Sequence, residues 1–344
     1  MKPDLLDLHT GFLVSWEIDI WGKLNNKKKA SYARFLASIE GKNVLITNLI
    51  SQIAFIYYEL ISLDNSLQII ETSNDLLKNA LDIIKAQKEA GFATELAVQQ
   101  FEASLLNAES MEIQIKQSII ENENNLNNLL GRYPQPISRN KISSLINKQQ
   151  NFKAGTPLQL LSHRPDIKQN ELELLATKAD VKAARAAFYP SLGIMGGGGF
   201  HSFNPAFFLH PEALVYNILA GISAPLLNRN NLKAEFKIAN AAQQSAFLNY
   251  QQSIITAYLE VNTALNNIKN LNAMEELKRK ETEVLSKAVE SSSELYKSGR
   301  AGYIEVLIAQ KNALTGKMEL NEIQKKLKQA EVNLYKALGG GWKN

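Results

Sequence analysis

The four histidines, His9, His163, His201 and His210, are the residues whose spacing most directly tests for metal chemistry. None has a second histidine four residues away or an adjoining carboxylate cluster, as a metal site on a helix face would need. The chain also contains no cysteine, which excludes disulfides, thiolate ligands and cysteine nucleophiles. We therefore predict no metal site.

The sequence motifs of catalysis and nucleotide binding are also missing. There is no G-x-S-x-G, no P-loop and no H-E-x-x-H. The glycine run from Gly196 to Gly199 does not have the G-x-G-x-x-G spacing, and an aromatic loop rather than a helix follows it. A strand whose backbone is closely approached explains the run better. The sequence thus predicts neither an enzyme nor a cofactor.

The composition narrows the class of protein further. The 344 residues include 38 Lys and Arg against 34 Asp and Glu, and a net charge of +4 does not indicate nucleic acid as a partner. The first ten residues, MKPDLLDLHT, lack the pattern of a signal peptide. The most apolar segment is interrupted by Asn48, Ser51, Gln52 and Glu59, so we expect no helix that could span a membrane.

Long stretches without proline or glycine predict long helices. The stretch from Asn230 to Ser298 contains neither residue, and a helix of that size would extend about 100 Å at about 1.5 Å per residue. Apolar residues at alternating spacings of three and four predict coiled-coil seams. The seam positions are Ile46, Leu49, Ile53, Ile56, Leu60, Leu63, Leu67, Ile70, Leu77, Leu81 and Ile84 in one half and Ile254, Tyr258, Val261, Leu265 and Ile268 in the other. On this pattern alone, a soluble coiled-coil scaffold is the alternative interpretation.

The two halves match each other at a constant offset of 208 residues, which indicates an internal duplication. We expect a first repeat over about 1–131, a linker over about 132–164 and a second repeat over about 165–340. Each repeat is interpreted as a long helix, a tight glycine turn and a return helix that ends at glycine. The matched pairs include Leu77 and Leu285, Gly91 and Gly299, Ala93 and Ala301, Leu126 and Leu334, and Gly131 and Gly339.

Three short segments have the two-residue alternation of strands, over residues 11–21, 190–202 and 213–225. The first places five apolar side chains on one face: Phe12, Val14, Trp16, Ile18 and Ile20. Each segment is long enough for a tilted membrane strand, which needs about 9–11 residues. So few strands cannot close a barrel, so we expect several chains to pool them. Because only the second repeat has a strand pair, we also predict an N-terminally incomplete copy of a longer protein.

Several segments together resemble the outer membrane factor family, the TolC-like exit ducts of tripartite efflux pumps and type I secretion systems. They include SWEIDIWGKL (15–24), HRPDIKQNELEL (163–174) and YKSGRAGYIEVLIAQKNAL (296–314), and the likeness is nearest to the efflux branch with NodT-like lipoproteins. The resemblance implies a mainly α fold with a small β part, in which a long α-helical coiled-coil barrel joins transmembrane β-barrel strands.

The resemblance also implies an assembly and a location. We expect a homotrimer in the bacterial outer membrane, in contact with lipid, with its helices in the periplasm. A periplasmic adaptor and an inner-membrane transporter are the implied partners. The expected function is the passive conduction of small molecules or drugs from the periplasm to the exterior.

The site residues are implied by the same resemblance. The tip turns, where an adaptor would dock, hold Gly91, Ala93, Gly299 and Ala301. Near the second turn the family usually reads vLDAQR, but here the line is VLIAQK, so Ile308 replaces the acid and Lys311 the arginine of the periplasmic gate. We expect Glu305, one helical turn earlier, to supply the carboxylate, with Arg300 as its partner and Ile304 beside it. The alternative is that Glu305 is a solvated surface charge.

Overall fold

The computed structural model describes residues 6–139, 163–225 and 229–340. The chain is mainly helical with a small β part, as predicted. Two short 3-10 turns, Pro205–Phe207 and Pro211–Ala213, connect the second and third strands. The elements in chain order are β1 (Leu8–Ile18), α1 (Lys23–Glu89), α2 (Glu95–Leu129), α3 (Pro165–Ala186), β2 (Ser191–Ser202), β3 (Leu214–Ser223), α4 (Arg229–Lys297) and α5 (Tyr303–Ala337).

The chain divides into two compact units. The first, here called the sheet unit, comprises Met1–Lys42 and Pro165–Ile255 and therefore contains the three strands, α3 and the beginnings of α1 and α4. The second, the helix unit, comprises Asn43–Arg164 and Thr256–Asn344 and contains the remaining helices. Each unit includes residues from both halves of the sequence.

The sheet is antiparallel in the order β1-β2-β3. Its register pairs Phe12 with Gly198, and Gly198 in turn with Tyr216. Residues directly opposite each other in an antiparallel pair lie on the same face. The register therefore determines which side chains of the three strands share a surface.

The first strand begins and ends three residues earlier than the predicted 11–21. The cause is the start of α1, because the carboxylate of Asp19 accepts hydrogen bonds from the backbone N–H groups of Leu24 (3.0 Å) and Asn25 (2.7 Å). Gly22 then turns the chain with φ +72°, a conformation that favours glycine. Asp19 is thus a helix cap rather than a strand residue, and Ile20 lies beyond the strand in which it was placed.

The helices repeat the offset of the sequence halves. The helix α2 and the helix α5 each have 35 residues, and 303−95 and 337−129 both give 208. The long helices α1 and α4 have 67 and 69 residues, and their last residues differ by 297−89, which is again 208. The same spacing thus governs both the sequence match and the helix ends.

Most of the predicted seam residues are buried or half-buried. The side chains of Leu60 and Ile70 are fully buried, and Val261 is also in the core. Two seam members were wrongly placed, since Leu49 is 40% exposed and Tyr258 is 56% exposed. Ala257 is buried beside Tyr258 instead, so the buried face of α4 lies one residue earlier at this point than the seam predicted.

The expectation that no helix could span a membrane is wrong by length and composition. The helix α1 contains an 18-residue window with a mean hydropathy of 1.6, of which 22% is buried. The scattered polar residues lower the mean hydropathy less than the surrounding Ile and Leu raise it. Core helices can meet the same criterion, so this finding alone does not indicate a span.

Candidate functional site

One face of the sheet is apolar across all three strands. Trp16 and Ile218 are among its most exposed members, at 62% and 82%. On β2 this face also includes Gly196 and Gly198, and it ends at Ser202, which lies opposite Leu8. Its larger members are Phe12, Val14, Trp16 and Ile18 on β1, Leu192, Ile194 and Phe200 on β2, and Leu214, Tyr216, Ile218, Ala220 and Ile222 on β3.

The opposite face is mixed, with glycine and polar residues among a few apolar ones. Its members are His9, Gly11, Leu13, Ser15 and Glu17 on β1, Ser191, Gly193, Met195, Gly197, Gly199 and His201 on β2, and Val215, Asn217, Leu219, Gly221 and Ser223 on β3. A wall between hydrocarbon and water requires this difference between its two faces.

Glycine allows the strands β1 and β2 to approach closely. A Cβ added to Gly199 would lie 2.1 Å from the carbonyl oxygen of Thr10, and one added to Gly11 would lie 2.6 Å from that of Gly198. Neither distance is possible for a real side chain. The interpretation of the glycine run as a site of close backbone approach is therefore confirmed.

The sheet is open at both edges within the described residues. Its strand order leaves β1 and β3 each paired along one edge, and these strands have 11 and 10 residues. Unpaired backbone in hydrocarbon costs several kcal/mol per group. A sheet with this apolar face therefore needs further strands at both edges if it is to lie in a membrane.

The two helix turns have the same hydrogen-bond pattern. The N–H of Gly91 donates to the carbonyl of Lys88 (2.9 Å) and the next N–H donates to that of Gln87 (2.8 Å). The N–H of Gly299 donates to Tyr296 (2.9 Å), and that of Arg300 donates to Leu295 (2.8 Å). These are the paired bonds of a Schellman helix end, with the glycines at φ +80° and +72°. The predicted need for glycine at both turns is confirmed.

The helices that follow the turns begin differently. Thr94 caps α2, and its hydroxyl accepts a hydrogen bond from the N–H of Ala97 (3.2 Å). The ammonium of Lys88 pairs with Glu95 and, together with the hydrogen bond it donates, lowers the pKa of that carboxyl. At the second turn Gly302 takes the cap position without a side-chain bond. The two turns therefore have the same backbone conformation but present different side chains.

The entrance candidates lie on one exposed stripe of α5. Ile304, Ile308 and Lys311 are spaced by four and three residues, and all three are exposed, as is Glu305. Glu305 folds back toward the cap, since a Cβ on Gly302 would lie 2.9 Å from its Oε2. Arg300 is also exposed.

The candidate partner of Glu305 does not contact it within the chain. In the part of the chain that the structure describes, no ion pair joins Glu305 and Arg300. The small residues Ala93 and Ala301 are half-buried at corresponding positions of the two turns. In the single chain, two isoleucines, a glutamate and a lysine of this stripe are therefore exposed.

Two contacts near the turns and helix ends were missed from the sequence. The phenol of Tyr296 donates a hydrogen bond to Oε1 of Gln87, and burial raises the pKa of this tyrosine. Arg164 is buried, and its Nη1 donates to Glu260 (2.7 Å) and to the carbonyl of Ala337 (3.1 Å) at the end of α5. These partners are far apart in the chain, so no local motif could indicate them.

The segment RPDI, part of the family resemblance, contains the start of α3. Pro165 is the first residue of α3 and Asp166 lies in its first turn, where negative charge is favourable. Among the residues described, no group of three or more His, Cys, Asp or Glu side chains could hold a metal ion.

Known efflux proteins are similar to this chain over nearly its whole length. The model of the outer membrane efflux protein family matches residues 7–132 and 156–340. The cation efflux system protein CusC of Escherichia coli O6:H1 is 28% identical over 336 residues, which cover 98% of the chain and 73% of CusC. The pyoverdine export outer membrane protein OpmQ of Pseudomonas aeruginosa is 29% identical over 340 residues, covering 97% of the chain and 70% of OpmQ. A crystal structure of CusC matches with a TM-score of 0.91 at 27% identity, over 97% of the chain and 78% of the CusC chain.

Proposed function

The chain belongs to the outer membrane efflux protein family, and we propose that three copies of it form the exit duct of a tripartite efflux or type I secretion system. It is an efflux channel subunit of the outer membrane. The trimer, its partners and the roles of individual residues are the parts that we propose. The soluble scaffold is not favoured, because the matching family is that of outer membrane efflux proteins and OpmQ is named as an outer membrane export protein.

The observation that carries the trimer is the sheet with an apolar face and two open edges. Phe12, Val14, Trp16 and Ile18 continue into the apolar side chains of β2 and β3 without a charged residue. Hydrocarbon favours such a surface but does not tolerate the unpaired edges. Closure by the strands of other copies satisfies both requirements, and Ile20 would then lie just outside the barrel wall.

The turns at the far ends of the long helices are the proposed docking tips. Gly91 and Gly299 expose a short surface in which Ala93 and Ala301 offer little steric hindrance. A periplasmic adaptor that links the duct to an inner-membrane transporter would contact this surface. The stripe of Ile304, Glu305, Ile308 and Lys311, with Arg300 nearby, is the proposed gate, which three copies would form together.

We propose passive conduction of small solutes without selection in the duct itself. The two relatives with nearly equal identity are named for different cargoes, cations and pyoverdine. Cargo therefore does not follow from overall similarity in this family. Selection by the energised partner accounts for this difference, and no cofactor or catalytic residue is needed in the chain.

The test is the state of the purified chain in detergent and in lipid. We expect a trimer by mass measurement in detergent and ion conductance after reconstitution into planar bilayers. Disruption of the apolar face by Ile218→Asp should prevent insertion, whereas Ser15→Asp on the opposite face should not. A monomer that remains soluble without detergent would contradict the proposal.

A further inference from the structure

Three helices are joined to the strands at one end of the sheet, where β1 and β3 stop and β2 starts. Ile18 lies opposite Leu192, and Ser191 lies opposite Ser223, so β1 and β3 end where β2 begins. The helices α1 and α4 start within six residues after β1 and β3, and α3 ends five residues before β2. All three helix ends therefore lie at the same end of the sheet, and we call this region the junction.

Basic side chains are concentrated at the junction. Nine of them lie on the first turns of α1 and α4 and the last turns of α3, and all nine are exposed. None forms an ion pair with any residue in the described part of the chain. This basic belt consists of Lys27, Lys28 and Lys29, of Lys178, Lys182 and Arg185, and of Arg229, Lys233 and Lys237.

The nearby acids are largely engaged by other residues. Glu17 pairs with Lys23 at 2.5 Å, and Asp19 caps α1. Glu173 and Asp180 both contact Arg34. Glu235 remains as an exposed carboxylate among the basic residues of α4. The belt therefore keeps a net positive charge that would attract external anions.

An aromatic pair marks the boundary between the apolar sheet face and the belt. The rings of Trp21 and Tyr189 stack at 4.7 Å with an interplanar angle of 25°. The indole N–H of Trp21 donates to the carbonyl of Pro190 at 2.8 Å, which fixes the ring at the start of β2. Both rings are about half exposed. Trp and Tyr prefer the headgroup level of a membrane, with the hydrocarbon on one side.

We propose that the basic belt binds the anionic headgroups of phospholipids in the periplasmic leaflet. The proposal rests on the membrane location of the sheet in the proposed function. A sheet that places its apolar face in hydrocarbon and Trp21 at the headgroup level brings the belt next to the lipid phosphates. Each basic residue near an anionic surface strengthens binding by about fivefold. The same charges could bind soluble phosphate, so the experiment must separate the two sources.

The experiment measures lipid bound to the full chain in an uncharged detergent. Binding of labelled phosphatidylglycerol is compared with binding of labelled phosphatidylcholine, and inorganic phosphate is added as a competitor. Both measurements are made on the wild type and on the triple variant Lys27→Gln, Lys28→Gln, Lys29→Gln. We expect the wild type to prefer phosphatidylglycerol and the triple variant to bind it about ten- to a hundredfold more weakly. Arginine at the same three positions should retain the binding.

The matched control removes three exposed lysines of the helix unit that also lack ion pairs: Lys85→Gln, Lys269→Gln and Lys287→Gln. It should bind phosphatidylglycerol as the wild type does. Equal binding of the two lipids would overturn the proposed lipid site, and so would an equal loss of phosphatidylglycerol binding in the control variant. Displacement of the lipid by millimolar phosphate would show that the belt binds soluble anions instead. Conductance of the wild type in uncharged lipid tests the duct separately, so a conducting trimer without lipid preference refutes the belt alone.

Discussion

The phenolic hydroxyl of Tyr296 donates a hydrogen bond to the side-chain oxygen of Gln87. Tyr296 lies in the last turn of α4 and Gln87 in the last turn of α1, so the bond ties the two helical hairpins together beside their glycine turns. Tyr296 also packs against the apolar core that contains Ile84 and Phe101. We propose that this contact restrains the opening of the gate at these turns.

Replacement of Tyr296 by phenylalanine removes the bond and keeps the ring. A neutral hydrogen bond contributes about 0.5–1.5 kcal/mol, so we expect a larger single-channel conductance or longer open times, with little loss of assembly. The control is Tyr258→Phe, since Tyr258 is also on α4 and is exposed. Identical conductance for Y296F and wild type would show that this bond does not restrain the gate.

Glu305 has two possible roles that a pair of variants separates. As the carboxylate of the gate, it should restrict ion flow, and both Glu305→Ala and Glu305→Gln should raise conductance. As an acid in the first turn of α5, it stabilises the helix by about 0.3–1 kcal/mol, and both variants should then lower the melting temperature only. Conductance in reconstituted trimers, measured with thermal unfolding, distinguishes the two. Unchanged conductance in both variants removes Glu305 from the gate.

The close approach of β1 and β2 predicts opposite outcomes for two glycines of the same sheet face. Gly199→Ala would place a methyl group 2.1 Å from the Thr10 carbonyl, whereas a Cβ on Gly221 would meet no atom within 4 Å. We expect Gly199→Ala to reduce the yield of assembled, heat-resistant oligomer strongly and Gly221→Ala to leave it near that of the wild type. Gel migration of unheated samples provides the measurement. Similar yields for both variants would mean that the strands can separate locally without cost.

The helical part was largely predictable because its signals are local. The absence of proline and glycine along α4 and the glycine turn that follows it indicate the length and the end of this helix in the sequence itself. The end of β1 was predicted less well, since Ile20 continues the alternation although Asp19 already caps the next helix. Alternation reports side-chain polarity and contains no information about capping.

The contacts between distant segments could not be predicted in this way. Tyr296 and Gln87 are 209 residues apart, and Arg164 lies 173 residues before the Ala337 carbonyl that it binds. The pairing of β1 with β2 likewise depends on register, which a single strand does not specify when both faces are partly apolar. Such contacts depend on how the helices and strands pack in three dimensions, which no local sequence pattern specifies.

The glycines at helix ends allow a comparison between backbone strain and steric clash. Gly91 and Gly339 both have φ +80°, but a Cβ on Gly91 has no neighbour within 4 Å, while one on Gly339 would lie 2.6 Å from the carbonyl oxygen of His163. Left-handed alanine costs about 1–2 kcal/mol, so Gly91→Ala should lower the free energy of unfolding by about that amount. Gly339→Ala should cost clearly more, because His163 must also move. Denaturant unfolding of the two variants side by side tests this order, and a reversed order would contradict the structure at the end of α5.

A half-buried lysine predicts how the contact between α1 and α5 responds to high pH. Lys325 lies 3.0 Å from Glu59 and 2.7 Å from Glu322. Burial alone would lower the pKa of Lys325, but the hydrogen bonds and charges of these two glutamates outweigh it and hold the pKa above its usual 10.5. A raised lysine pKa contributes stability that is fully present below pH 10.5 and is lost as the pH rises through the elevated value.

Lys325→Met should therefore be less stable than the wild type at neutral pH, by about 1 kcal/mol for a partly exposed pair of contacts. Because the variant has no ammonium to lose, its disadvantage should shrink as the pH rises above 10.5, while tyrosine ionisation affects both proteins alike. Lys326→Met is the matched control, since Lys326 is exposed and reaches Glu322 only at 3.5 Å. Melting temperatures of the three proteins between pH 7 and 12 provide the measurement. A constant difference between Lys325→Met and wild type across that range would show that the charge of Lys325 does not stabilise this contact.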